Sequence, residues 1–148
     1  MMKIKLILLL IISLSIFGCK KDVDEQAKID EQIILDYLAE HNIDAIATGT
    51  GLYYLIQVEG EGDDHPNVNS TVEIYYKGYL TDGSVFDKRT ATLPLYNVIQ
   101  GWKEGLRYFK KGSVGKLFIP SKLGYGPSSR TGIPANSVLI FDIHLIDF

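Results

Sequence analysis

The residues of this 148-residue chain best placed to do chemistry are five aromatics that stand beside glycines in four short clusters. The first holds Ile74-Tyr75-Tyr76-Lys77-Gly78 with Asp82-Gly83-Ser84-Val85-Phe86-Asp87. The others are Val98-Ile99-Gln100-Gly101-Trp102, Ile119-Pro120 with Gly124-Tyr125-Gly126, and Ile133-Pro134 with Phe141. Rings brought together with glycines suit enclosure: a dry, apolar pocket with a few placed hydrogen bonds. Each ring taken singly reads equally as core. A tyrosine on a tight turn and a tryptophan at a helix start between glycines favour a pocket lining. The more familiar reactive centres are missing from the sequence. His41, His65 and His144 have no cysteine partner and no H-x-x-x-H or H-E-x-x-H spacing, so zinc or a histidine-assisted nucleophile is not expected. No G-x-S-x-G elbow and no G-x-x-x-x-G-K-[ST] loop occurs, so neither a hydrolase nor a nucleotide site is read, and no metal or cofactor is expected.

The elements that must position these rings follow from periodicity. Asp24 to about His41 are strong helix formers, with Ile29, Ile33 and Tyr37, joined by Ile34 and Leu38, on one face. That stripe either packs on its own domain or pairs with a second copy. Gly49-Thr50-Gly51 ends any helix, and from Leu52 the period changes to two: Leu52, Tyr54, Ile56 and Val58 alternate with Tyr53, Leu55 and Gln57 as a strand. Residues 60–69 form a loop. Thr71 to Leu80 is a second strand with Val72, Ile74 and Tyr76 on one face, and Asp82-Gly83 is a hairpin turn leading into Val85-Phe86-Asp87. Asn97 is read as the N-cap of a helix of about three turns carrying Val98, Trp102, Leu106 and Phe109. Lys110-Lys111-Gly112 closes it, and Gly101 and Gly105 leave its backbone open to close approach. Val114 to Ile119 and Ser137 to Ile146 are strands, the latter with Leu139, Phe141, Ile143 and Leu145 on one face and His144 exposed on the other. Strands before and after a single helix imply an α+β architecture, an antiparallel sheet folded over that helix.

From about residue 50 to 148 the order and spacing of the four clusters resemble the FKBP-type peptidyl-prolyl cis-trans isomerases. The resemblance implies a curved, mostly antiparallel sheet of about five strands wrapped around one short helix. It also implies a reaction: acceleration of X-Pro rotation by binding proline in an aromatic pocket. Proline suits such a pocket, because its ring is apolar and it has no N–H to satisfy. The barrier, ~18–20 kcal/mol, arises from amide resonance, and lowering it requires no bond to be made or broken. By the same resemblance Trp102 is the pocket floor, with Tyr76, Phe86, Val98, Ile99 and Phe141 as walls. The Ile99 N–H binds one substrate carbonyl, the Tyr125 hydroxyl donates to another, Ile133 caps the pocket, and Asp87 orients polar groups at the rim. Asp87 read alone is also a turn acid capping local N–H groups. Family members commonly carry an aromatic on the wall strand before Val98, whereas here Ala91 to Asn97 offers Leu93 in its place, which alters the surface met by the family's macrolide inhibitors.

The first residues are read separately. Lys3 and Lys5 precede an apolar run from Leu6 to Phe17, too short for the ~20 residues of a spanning helix and suited to a secretory signal. Ile16-Phe17-Gly18-Cys19 resembles a bacterial lipobox, which implies cleavage after residue 18 and acylation of Cys19, the only cysteine. Two or three acyl chains suffice for stable anchoring. The alternative is a signal peptide with an incidental cysteine. The expected organisation is a lipoprotein signal peptide at 1–18, a lipid-anchored tether with its amphipathic helix at 19–50, and the isomerase domain at 51–148. The expected place is the cell envelope of a diderm bacterium, on the outer membrane facing the periplasm or the surface. Lys20-Lys21-Asp22 with Asp24-Glu25 reads either as a surface-sorting signal or as a solvated tether. Loss of Lys3 and Lys5 leaves 13 basic against 18 acidic side chains, which gives no reason to expect nucleic acid as partner. The expected partners are proline-containing polypeptides and the membrane, with the chain a monomer or a weak dimer through the N-terminal helix. A chaperone or an assembly lipoprotein using the same fold as a binding scaffold is the alternative function.

Overall fold

The structure, a computed structural model, describes the backbone of residues 16–148 and the side chains from Glu25 onward. Residues 1–15 of the expected signal peptide and the thiol of Cys19 lie outside that description. The chain forms α1 (Ile16–Glu40), β1 (Ile46–Ala47), β2 (Tyr53–Val58), β3 (Thr71–Tyr79), β4 (Val85–Pro94), α2 (Gln100–Gly105), β5 (Val114–Ile119) and β6 (Leu139–Asp147). The strands make one antiparallel sheet in the order β1-β2-β5-β6-β3-β4. It has six strands where about five were expected. The extra one is β1, a two-residue strand in a stretch whose short, exposed Ile46-Ala47 leaves no periodic trace.

One face of the sheet carries the main core. Leu52, Val72, Ile74, Leu117, Ile119, Leu139, Ile143 and Leu145 are at most 1 % exposed there, packed against Trp102, Leu106 and Phe109. The alternation read from β3 and β6 therefore holds residue for residue. α2 crosses this face because Gly101 and Gly105 lack side chains: a Cβ at the first would meet Ile119 and at the second Leu117, so β5 lies directly on the helix backbone. This helix differs from the expected one at both ends. Its N-cap is Ile99, with no side-chain cap, while Asn97 ends a 3-10 turn at Leu95–Asn97. It continues only as a second 3-10 turn, Leu106–Tyr108, after which Phe109 is extended. Lys110 and Lys111 are thus beyond the helix, and Lys111 pairs with Asp147 at 2.9 Å instead of closing a helix end.

The other face of the sheet is covered by α1, where Ile34 and Leu38 pack with Tyr53, Tyr79, Phe118, Val138 and Ile140. The helix ends within a residue of expectation, but its buried line is only part of the expected stripe. Ile34 and Leu38 are buried, with Tyr37 partly so, whereas Ile29 is 47 % and Ile33 36 % exposed. The inward position one turn before Ile34 is held by Asp30, which is fully buried. An acid in that line shifts the apparent apolar face by about one residue. Ile34→Ala is accordingly expected to cost about 2–5 kcal/mol, and Ile29→Ala to stay within about 0.5 kcal/mol. Urea denaturation midpoints at unchanged m-value check the pair. His144 also departs from expectation, being half-buried on the face that α1 shares.

Candidate functional site

A cleft of about 810 Å³ opens where β3, β4, β6, the start of α2 and the loop after β5 meet. All ten side chains expected at a pocket line it: Tyr76 from β3, Phe86, Asp87 and Leu93 from β4, Val98, Ile99 and Trp102 at the helix start, Tyr125 and Ile133 from the loop, and Phe141 from β6. Cys19, the remaining expected site residue, falls outside the described side chains.

The floor is a set of rings held edge to face. Trp102 stands at 85° to Tyr76, centroids 4.9 Å apart, and at 82° to Phe141 at 5.3 Å. Phe86 meets Phe141 at 82° and 5.6 Å. Such T-shaped pairs set the positive ring edge against the negative face and hold each ring to one orientation. Trp102, Tyr76 and Phe141 are each 4 % exposed, so core and pocket lining prove to be the same residues: their buried sides complete the core and the remainder floors the cleft. The Trp102 Nε1 is buried without an acceptor among the described residues.

The wall depends on a bulge. Gly78 pairs with Asp87 but Tyr79 pairs with Val85, which leaves Phe86 as the extra residue of β4. Strict alternation would send Phe86 and Asp87 to opposite faces. The bulge lets both line the cleft. Gly78 makes room for them, since a Cβ there would lie 2.5 Å from Phe86 Cε2 and 2.7 Å from Phe141 Cε1.

At the rim the Tyr76 hydroxyl donates to Asp87 Oδ2 at 2.5 Å and accepts from Arg89 Nε at 2.8 Å. Burial first, and then the bond to Asp87, hold the Tyr76 phenol above its ordinary value, with Arg89 pulling the other way. Asp87 thus takes a side-chain hydroxyl. The turn acid is instead Asp82, which accepts the Ser84 N–H at 2.9 Å. Like the Trp102 Nε1, the Ile99 N–H and the Tyr125 hydroxyl in the cleft have no hydrogen-bond partner among the described residues. Ile99 is extended (φ −60°, ψ 152°) and its carbonyl accepts from Trp102 and Lys103, so the helix start anchors the peptide after Ile99 while the N–H before it stays bare.

The loop from Pro120 to Val138 contains only a 3-10 turn, Ser121–Leu123, and no inserted element. Arg130 and Ile133 exchange backbone hydrogen bonds at 2.8 and 2.9 Å, which makes a tight tip, and Ile133 is 5 % exposed beneath it. Arg89, Asn97, Arg130 and Thr131 also line the cleft and were missed from the sequence. Arg89 was discoverable, standing two residues after Asp87 on a strand. The others sit in irregular backbone, where no period reports facing. Among the described residues no group of His, Cys, Asp and Glu is arranged to hold a metal ion. The arrangement can enclose a small apolar ring and offer it two donors, the Ile99 N–H and the Tyr125 hydroxyl.

The family model for "FKBP-type peptidyl-prolyl cis-trans isomerase" matches residues 62–146. The chain is 48 % identical over 105 residues to the FKBP-type peptidyl-prolyl cis-trans isomerase FkpA of Buchnera aphidicola subsp. Schizaphis graminum, covering 68 % of this chain and 42 % of that protein. It is 38 % identical over 102 residues to the peptidyl-prolyl cis-trans isomerase Mip of Coxiella burnetii, covering 65 % and 44 %. Among solved structures, that of FkpA from Escherichia coli superposes with a TM-score of 0.72 at 36 % identity, covering 86 % of this chain and 63 % of the other. The chain spans less than half the length of the curated relatives it matches.

Proposed function

The chain belongs to the FKBP-type peptidyl-prolyl cis-trans isomerases, and from that membership we propose that it accelerates rotation about X-Pro bonds in exported or surface polypeptides, without covalent chemistry. The observation that supports this reading most is the cleft itself: a floor of three interlocked rings with a bare N–H on Ile99 and a bare hydroxyl on Tyr125. The proline ring sits on Trp102 between Tyr76, Phe86 and Phe141, with Val98 and Leu93 along the side and Ile133 above. Ile99 donates to one substrate carbonyl and Tyr125 to another. These bonds hold the chain on either side of the rotating amide, and the apolar walls withhold water from it. A twisted amide has lost its resonance and with it the charge on oxygen, so a dry site favours it over the planar form, and each ~1.4 kcal/mol of that preference is tenfold in rate. Asp87 keeps the Tyr76 hydroxyl turned to the rim. Macrolide inhibitors of the family would enter the same cleft and meet Leu93.

The test is peptide isomerisation, or refolding limited by a proline, with the chain from Asp24 to Phe148. The rate is expected to rise in proportion to protein, and an unchanged rate at micromolar concentration would overturn the activity. The rate should also be flat from about pH 6 to pH 9. No histidine lines the cleft, and the phenol of Tyr76 is raised. The stabilisation of its neutral form is therefore complete below the usual tyrosine value, near 10, and is lost only as pH climbs through the higher folded value. A bell centred near neutrality would show a titrating group in the reaction.

Residues 1–18 are a lipoprotein signal, 19–50 a tether anchored through acylated Cys19, and 51–148 the isomerase domain, in the envelope of a diderm bacterium. The support is the spacing of Lys3, Lys5, the apolar run and Gly18-Cys19. Cys19→Ser is expected to abolish the mass added at the N-terminus and move the protein from the membrane to the soluble fraction. Ile29 and Ile33, left exposed on α1, suit weak self-association.

A further inference from the structure

The turn that carries Tyr125 is tied to the opposite side of the sheet by a single carboxylate. Asp30 of α1 is fully buried, and its Oδ2 accepts both the Ser121 N–H at 2.8 Å and the Ser121 hydroxyl at 2.6 Å. Its Oδ1 accepts from Gln26 Nε2 at 2.7 Å, and no cation pairs with it among the described residues. Ser121 is itself 2 % exposed and begins the 3-10 turn that follows β5. Its carbonyl accepts from Gly124 N–H at 2.9 Å and Gly126 N–H at 2.8 Å, the residues on either side of Tyr125. One serine therefore has its donors on α1 and its acceptor on the Tyr125 turn. The Gly126 carbonyl in turn accepts from Asn136 N–H at 2.8 Å, which carries the same constraint to the far end of the loop.

Docking of α1 does not call for an acid here. Ile34 and Leu38 already supply the apolar contact, and burying a carboxyl group away from any cation is costly unless its hydrogen bonds are excellent. What a carboxylate does at this position, and an apolar residue cannot, is take two bonds from one serine and fix the direction of that peptide. We propose that Asp30 is a positioning residue for the reaction: through Ser121 it sets the turn that presents the Tyr125 hydroxyl, so that α1 serves the cleft as well as the core. This rests on the isomerase reading above. It assigns a role in turnover to a helix that precedes residues 62–146, the part matched by the family model.

The test uses the full chain and two readouts. Amide exchange at Gly124 and Gly126 is expected to speed up about tenfold or more in Asp30→Ala while the β6 amides change little. kcat/KM for a proline peptide is expected to fall roughly five- to twentyfold in Asp30→Ala, and less than about twofold in the same substitution made on Tyr125→Phe, because coupled residues are non-additive. Asp30→Asn, which keeps an acceptor oxygen, should restore most of the loss. Ser121→Ala, which removes only the hydroxyl, gives the same pattern at smaller amplitude and serves if Asp30→Ala does not fold. Equal losses with and without the Tyr125 hydroxyl, or unchanged exchange at Gly124 and Gly126, would overturn the positioning role. An unsubstituted chain without isomerase activity would instead overturn the activity and this role with it.

Discussion

Trp102→Ala is expected to reduce kcat/KM for an X-Pro peptide on the order of a hundredfold or more, and Phe86→Ala nearly as much, while Asp87→Ala costs about tenfold or less. The order follows from what each side chain holds. Trp102 touches both other floor rings edge to face, so its loss removes the surface proposed to lie under the proline ring and the partner that fixes Tyr76 and Phe141. Water then enters where the amide must twist. Phe86 is the bulge residue of β4 and stands against Phe141, so truncating it opens the wall to solvent at one place. Removing the Asp87 carboxylate leaves the Tyr76 hydroxyl bonded to Arg89 Nε, and no ring moves. Stability separates these effects from simple unfolding. Trp102→Ala should cost about 3–5 kcal/mol, whereas Phe86, only half-buried, should cost less for a similar loss of rate. Kinetics taken well below each variant's unfolding midpoint check the order. A larger effect from Asp87 than from either ring would mean that catalysis is polar and the dry-cleft account is wrong.

The sequence made the rings legible and left their supports obscure, and the reasons are physical. β3 and β6 are covered on the core face by unbroken runs of Val, Ile, Leu, Tyr and Phe, so alternation alone places Tyr76 and Phe141 correctly. Trp102 is legible for a different reason: Gly101 and Gly105 mark the helix side that β5 must cover. Bringing Phe86 and Asp87 into one cleft is not readable from a period of two, because a bulge breaks that period and no residue type announces it. The start of α2 was misplaced because Asn97, a good capping residue, lies two positions before a cap made by Ile99, whose side chain caps nothing. What Ile99 brings to the cleft is backbone: an extended residue whose N–H has no acceptor among the described residues. On α1 the error came from polarity. Asp30 occupies the most buried line of the helix, and hydrophobic patterning assigns an acid to solvent. The bulge of β4 and the start of α2 both lie at the cleft, which is where local preference is expected to give way to the site.

Gly78→Ala should damage the cleft as severely as removing a ring, although it adds only a methyl group. The new Cβ would fall 2.5 and 2.6 Å from Phe86 Cε2 and Cζ and 2.7 Å from Phe141 Cε1, so at least one ring must leave its place. Phe141 cannot be the one that yields, since it is 4 % exposed and pinned against Trp102 at 5.3 Å. Phe86 is freer, half-buried on the cleft side of a bulged strand, and the volume open to it is the cleft itself. The ring is therefore expected to swing into the space proposed for proline. Overpacking of this kind costs about 1–3 kcal/mol of stability, and the blocked site should lower kcat/KM by roughly a hundredfold, chiefly through KM. Gly83→Ala supplies the contrast. Its φ of +86° makes a side chain strained, but nothing lies within 4 Å, so a stability loss of about 1 kcal/mol should come with unchanged kinetics. The mechanism makes one further demand: on the Gly78→Ala background, Phe86→Ala should relieve the overpacking and recover stability, yet leave the rate low, because the wall is then absent instead of misplaced. Recovery of both would show that Phe86 obstructs proline without ever helping to hold it.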